Sequence, residues 1–262
     1  MYEEAIETMA AASAAKLDFL KKNPLGYFVA SVMAGVFISF GSFVAMTAGG
    51  YCTPLLGGMA KLAPAIAFAS ALSLVVMAGA ELFTGNNMVV GLGALMKRTT
   101  WRSCAWLWTV CWLGNFVGSW LAILAYHYSG ADALPKNPEV PQFFLTVAAA
   151  KCGLGPLALV IRGILCNMLV CLGVWCGLKM KSESGKLIMI SWCILVFMLC
   201  GFEHAIANMS IIGTALFNPA AAAQGVTVGA YFFNLAWATV GNILGGLVFV
   251  ALPYLVMTVR KD

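Results

Sequence analysis

The sequence predicts an all-α membrane protein of six transmembrane helices, arranged as two inverted three-helix repeats with broken second and fifth helices. Composition, the lengths of the apolar blocks and a residue pattern that occurs twice carry that expectation. Of 262 residues, 62% are hydrophobic and 10% are charged, against roughly 45–50% apolar and about 25% charged in ordinary soluble domains. There are too few charges to clothe a soluble exterior. The apolar residues also come in blocks long enough to cross a bilayer.

The first element, Met1 to Lys22, has apolar residues at Ile6, Met9, Leu17 and Leu20, with the small Ser13 between. Acids come early (Glu3, Glu4, Glu7) and lysines late (Lys16, Lys21, Lys22), which suits a helix dipole. This is read as an amphipathic helix lying at the membrane interface, ended by Asn23-Pro24, with a channel domain over 23–262. Within that helix Lys16 sits among small alanines, where it either regulates access to a pore mouth or contacts lipid headgroups.

Four plain spans follow: Gly26 to Ala48 (first), Trp101 to Tyr128 (third), Pro156 to Leu178 (fourth) and Val228 to Val259 (sixth). Two stretches are awkward. Leu62 to Met96 has one charge, Glu81, and Leu187 to Phe217 has only Glu203 and His204. Each exceeds the ~20 residues one helix needs and is too short for two full spans. A half-helix, a break near the charge and a second half-helix solve both.

The two halves share a pattern. Gly79-Ala80-Glu81 followed by Asn86 and Met88 matches Gly201-Phe202-Glu203 followed by Asn208 and Met209. Gly114-Asn115-Phe116-Val117-Gly118 in the third span matches Gly241-Asn242-Ile243-Leu244-Gly245 in the sixth. Repeats of about 26–130 and 155–259 result. Of the 15 lysines and arginines, Lys61, Lys136, Lys151 and Arg162 fall on one side and the remainder, Arg260 and Lys261 included, on the other. The positive-inside rule makes both termini cytoplasmic and the two halves inverted. That bias accounts for most of the net charge of +5 and implies no nucleic-acid partner.

Irregular backbone inside a membrane must be buried in protein or line a cavity. The breaks therefore face a pore or each other, and half-helix N-termini aimed inward favour an anion. Thr84 is placed to cap one half and contact the solute; His204, with Asn208 one turn on, serves the other. An intramembrane histidine points to the pathway, with a packed neutral ring as the alternative. Glu81 and Glu203 are expected to play a structural role, accepting hydrogen bonds from the broken backbone, with protonation open to them. Phe68, Leu72, Leu82 and Phe197 suit either apolar gates or ordinary packing. Lys151 either adds positive charge near the pore or is a solvated loop lysine. The Gly-Asn pairs read as helix-packing devices, and His127, beside Tyr126 and Tyr128, as interfacial.

The nine cysteines lack metal-site spacing and read as free thiols. No metal or cofactor is expected. Two distant histidines give no paired axial set for haem, which speaks for transport and against a redox enzyme. Asn218-Pro219-Ala220 resembles one aquaporin tripeptide but has no second copy and no following arginine.

On Asn23-Pro24, Gly79-Ala80-Glu81-Leu82-Phe83-Thr84-Gly85, Gly114-Asn115, Cys166-Asn167-Met168-Leu169-Val170, the run from Gly201 to Met209, and Gly241-Asn242, the chain resembles the formate/nitrite transporter family along essentially its whole length. The resemblance implies a homopentamer in the bacterial cytoplasmic membrane, an aquaporin-like protomer fold and one pore per subunit. It implies that Thr84, His204 and Lys151 act on small monovalent anions, with Asn167 and Asn208 nearby. It also places Phe68, Leu72, Leu82 and Phe197 at apolar constrictions. Formate-branch members tend to carry Asp and Ser where this chain has Glu81 and Gly85, and the nitrite branch shares its Glu-Leu-Phe-Thr-Gly run. As a whole the chain is most similar to the hydrosulfide channels of anaerobic bacteria, so hydrosulfide export is expected, with nitrite and formate as alternatives.

Overall fold

Acids at the start and lysines at the end produce the first helix where the charges predict one. The computed structural model describes residues 2–134 and 136–258. In it, Glu3 and Glu4 occupy the first turn of α1 (Glu3–Lys22) and Lys21 and Lys22 the last. Asn23 both ends α1 and starts α2 (Pro24–Leu56): its amide bonds Phe19 O, and its side chain accepts from Gly26 N at 2.8 Å. Pro24 at the first helical position suits that start, because its missing N–H would have no partner there.

α2 is longer than the span expected over Gly26 to Ala48. The apolar run continues past Ala48, and only Gly57, at φ 52°, turns the chain. A 3₁₀ turn (Gly57–Lys61) leads to α3 (Leu62–Ala67) and α4 (Ala69–Ala78), followed by α5 (Phe83–Leu95) and α6 (Trp101–Tyr128). The second half has α7 (Glu139–Cys152), α8 (Pro156–Lys179), α9 (Glu183–Leu199), α10 (Ala205–Ala215) and α11 (Val228–Gly246). A π-turn (Leu247–Ala251) and α12 (Leu252–Val256) complete it, and no strand occurs among the described residues. The sixth span is therefore not one regular helix, as the apolar run suggested. Met1, Val259, Arg260 and Lys261 lie outside the described residues.

Both breaks fall at the glycines of the repeated pattern. Gly79 (φ 77°) ends α4 and Gly201 (φ 68°) follows α9. This left-handed backbone is costly for any residue with a Cβ. The following amides fold back identically, Ala80 N to Val75 O and Phe202 N to Phe197 O, each at 3.0 Å. That six-residue closure satisfies carbonyls the helix end would orphan.

Small residues set the close helix pairs. A Cβ on Gly35 would overlap the backbone of Asn115, and one on Gly118 the backbone of Val32, so α2 and α6 touch main chain to main chain. Gly163, Gly241 and Gly245 do the same for α8 and α11. Four stretches, Pro24–Ala78, Trp101–Tyr128, Pro156–Lys179 and Val228–Val256, are long and apolar enough to cross a membrane. The fifth apolar stretch is divided between α9 and α10, and α9 starts earlier than expected, at Glu183.

Two shorter helices cover the half-helices. α1 buries Ile6, Met9, Ala10, Ser13 and Leu20, and Ser13 lies so close to Gly93 of α5 that no side chain fits there. α7 packs on α10. Lys151 therefore belongs to the last turn of a helix, not to a loop. The apolar residues of 139–152 recur at helical spacing, as Val140, Phe144, Leu145 and Ala148, and all four are buried.

Candidate functional site

A helix that begins inside an apolar bundle exposes amides that no water can satisfy. Each half-helix receives its partner from a neighbouring helix. Phe83 N, the first amide of α5, donates to Asn115 Oδ1 at 2.9 Å, and Asn115 Nδ2 donates to Glu81 O at 2.9 Å and Ser31 O at 2.7 Å. Ala205 N, the first amide of α10, donates to Asn242 Oδ1 at 2.9 Å, and Asn242 Nδ2 donates to Glu203 O and Gly163 O, both at 2.9 Å. The Gly-Asn pairs are thus not only packing devices. The glycine admits the facing backbone, and the asparagine clamps the break.

The N-terminus of α5 meets that of α10. Thr84 Oγ1 lies 3.0 Å from His204 Nε2, and both side chains are buried. Thr84 is not the cap of α5. That position belongs to Leu82, whose side chain makes no cap bond. His204 does cap its helix: Nδ1 accepts from Ala207 N at 3.0 Å. A nitrogen that accepts an N–H carries no proton, so the hydrogen of the neutral ring sits on Nε2 and is donated to Thr84 Oγ1. The threonine hydroxyl keeps its own proton to offer elsewhere.

The two carboxylates differ from expectation in their partners. Glu81 binds Lys16 Nζ at 2.6 and 2.7 Å, and accepts from Tyr27 Oη at 3.1 Å and Asn86 Nδ2 at 2.9 Å. Glu203 binds Lys151 Nζ at 3.0 Å and accepts from Asn208 Nδ2 at 2.6 Å and Asn234 Nδ2 at 3.3 Å. Lysine and amide side chains, not the broken backbone, hold them, and each lysine makes its carboxylate an ion pair. The asparagine in either cluster lies five residues after its glutamate, at the spacing the sequence repeats. Tyr27 and Asn234 were not among the expected residues. They lie too far along the chain for any local pattern to join them to the break.

Asn167 works on the backbone. Its Nδ2 donates to Thr84 O at 3.1 Å, Asn87 Oδ1 at 3.2 Å and Asn242 O at 2.6 Å, which ties both halves together behind Thr84. Phe68, Leu72, Leu82 and Phe197 are all buried in one core. Phe68 meets Phe197 edge to face, with centroids 5.8 Å apart, and Phe197 stacks on the His204 ring at 5.9 Å. His127 lies away from this centre, stacked on Phe217 and bonded to Asp132. The nine cysteines are free thiols, and no cluster able to hold a metal occurs among the described residues.

A cavity of about 520 Å³ opens on the α7 side and reaches His204 and Asn208. Its walls include Phe197, Lys61, Lys151, Arg162 and Glu203. A buried donor pair at the meeting of two helix N-termini, with aromatic walls and a basic approach, suits a small anion. The sequence model of the family described as "Formate/nitrite transporter" matches residues 3–256.

The chain belongs to the formate/nitrite transporter family.

Among its curated relatives, the nitrite transporter NirC of Salmonella typhimurium is 35% identical over 265 residues, 100% of this chain and 94% of the relative. The formate channel FocA of Escherichia coli (strain K12) is 33% identical over 258 residues, 92% of this chain and 89% of the relative. A solved structure described as an FNT family ion channel superposes with a TM-score of 0.89 at 33% identity, over 98% of this chain and 100% of that one. A pentameric formate channel with formate bound gives 0.79 at 26% identity, over 90% and 98%. This family member is accordingly a multi-pass membrane protein whose relatives are transporters and channels, not enzymes.

Leu82 sits at the start of α5 beside Thr84, with no polar partner of its own. An apolar ring in a pore raises the barrier to a hydrated ion without binding it. Leu82→Val is expected to raise anion flux and leave selectivity unchanged. Proteoliposome flux measures it, and unchanged or lower flux in a well-folded variant counts against the constriction.

Proposed function

We propose that this protein is a channel for small monovalent weak-acid anions, with hydrosulfide exported and nitrite and formate as the alternative substrates. The observation that carries the reading is the contact of His204 with Thr84 where the N-termini of α5 and α10 meet. The two half-helix ends draw the anion inward past the ion-paired Lys151, and Asn208 and Asn167 hold the polar shell. Phe68, Leu72, Leu82 and Phe197 dehydrate the ion. Hydrosulfide rests on the whole-chain resemblance; nitrite and formate are the anions named for the relatives.

A bare ion in such a site loses many kcal/mol of hydration, which a weak-acid anion avoids by sharing or accepting a proton. His204 and Thr84 supply this together, the threonine hydroxyl donating its free proton or Nε2–H turning from Thr84 Oγ1 to the anion. A doubly protonated ring needs a proton on Nδ1, which is possible only after the Ala207 amide lets go. His204 is therefore a hydrogen-bond donor first, and full proton transfer requires loosening the α10 cap.

In this reading the chain crosses the bacterial cytoplasmic membrane six times, as two inverted repeats, with both termini cytoplasmic and α1 at the inner interface. The matched clamps of Asn115 and Asn242 and the matched ion pairs of Glu81 and Glu203 support the repeat. The formate channel that it superposes on is a pentamer, and we assign the same assembly here, with one pore per subunit. The test is flux of hydrosulfide, nitrite, formate and chloride into proteoliposomes, at two pH values, with and without an imposed potential. Weak acids should pass well ahead of chloride, hydrosulfide fastest, with flux rising as pH falls. Chloride passing as fast as the weak acids would overturn the mechanism. Flux that ignores the potential would make the protein an electroneutral carrier.

A further inference from the structure

The two helix breaks are anchored to the preceding span by the same backbone bonds, and at that anchor their side chains differ. Glu81 N donates to Ala30 O at 3.1 Å, and Glu203 N donates to Arg162 O at 3.3 Å. The next residue in each case, Ser31 or Gly163, offers its carbonyl to the clamping asparagine. Ala30 and Arg162 therefore hold equivalent places. Alanine is enough for the backbone task in one half, so the guanidinium in the other half is not needed to form the break.

Its surroundings show what it faces. Arg162 is exposed, lines the cavity that leads to His204, and donates from Nη1 to Gly201 O at 3.4 Å. Among the described residues no carboxylate pairs with it, and none pairs with Lys61, an exposed lysine on the same cavity. Lys151 differs. Its ammonium is 3.0 Å from Glu203, the one acid among the described residues that line the cavity. Such a pair carries no net charge, and its field falls off faster with distance than that of a lone cation. The net positive charge of the vestibule belongs to Arg162 and Lys61.

We propose that Arg162, together with Lys61, is the anion-capturing site of this vestibule, while the ion-paired Lys151 positions Glu203 behind it. The assignment rests on the channel reading above and names the residues that hold the anion at the outer mouth, where an open channel exchanges it in either direction. Charges in a low-dielectric cleft raise the local concentration of a counter-ion. The reach of exposed charges shrinks with salt, from about 30 Å at 0.01 M to about 3 Å at 1 M ionic strength. A structural side chain shows no such dependence.

The experiment uses the full chain in proteoliposomes, with formate and hydrosulfide below saturation, at low and at high ionic strength. R162Q/K61Q is expected to lose about fivefold in flux at low salt and to converge on wild type at high salt. R162K keeps the charge and should retain most of the flux. The ratio of weak acid to chloride should stay as in wild type, since His204 is untouched. K151Q, which leaves a buried carboxylate unpaired, should lose flux by a similar factor at both salts. The assignment is overturned if R162Q/K61Q matches wild type at low salt, if its loss persists undiminished at high salt, or if R162K is as poor as R162Q/K61Q. Absence of any wild-type flux would overturn the channel reading, and this assignment with it.

Discussion

His204→Phe is expected to abolish the discrimination between a weak-acid anion and chloride. Phenylalanine keeps the ring that stacks on Phe197 but removes the Nε2–H that reaches Thr84 and the Nδ1 that accepts from Ala207 N. A hydrogen bond to a charged group is worth about 1.5–3 kcal/mol. Its loss at the crest of the pathway corresponds to roughly a tenfold to hundredfold fall in weak-acid flux. Chloride flux, which gains nothing from a shared proton, should change little. His204→Asn separates folding from function, because asparagine is a strong N-cap and can keep the Ala207 amide satisfied. That variant should fold normally and still lose selectivity. If His204→Phe separates formate from chloride as wild type does, proton sharing at this residue is wrong.

Asn242→Leu is expected to cost several kcal/mol of stability, about 2–5. Leucine fills nearly the same space but leaves Ala205 N and Glu203 O without their side-chain partner in a buried, water-poor place, and takes the second bond from Gly163 O. Each orphaned group costs about 1–3 kcal/mol in a protein interior. Rearrangement within a membrane bundle returns part of that. A net loss of about 2–5 kcal/mol is expected. A fall in the unfolding midpoint in detergent, with reduced flux from a frayed α10 terminus, reports it. Asn115→Leu should behave alike at α5, since its three bonds are the counterparts. An unchanged midpoint with normal flux would reduce these asparagines to packing residues.

Local chemistry could be read from the chain directly. Asn23-Pro24 stops one helix and starts the next because an amide side chain and a ring without N–H act within a few residues. The breaks near Glu81 and Glu203 were visible because the glycines precede a lone charge in runs too long for one helix and too short for two. Helix α7 was missed because the segment before the fourth span is short and mixed, and Lys151 reads as a loop residue until the buried side of 139–152 is seen. The π-turn at 247–251 was missed because its sequence is as apolar as a regular helix and carries no proline.

The sequence by itself determined the class of the protein, an all-helical membrane chain, and the two points at which its helices must break. Charge density, block length and glycine conformation depend on near neighbours alone. The tertiary structure decided which groups meet at those breaks. Lys16 reaches Glu81 across 65 residues, Asn115 reaches Phe83 across 32, and His204 reaches Thr84 across 120. Nothing in a local pattern selects such partners. Glycine contacts bring the helices close enough, and in a core without water each broken-helix amide and each carboxylate must then find a partner wherever the packing has placed one.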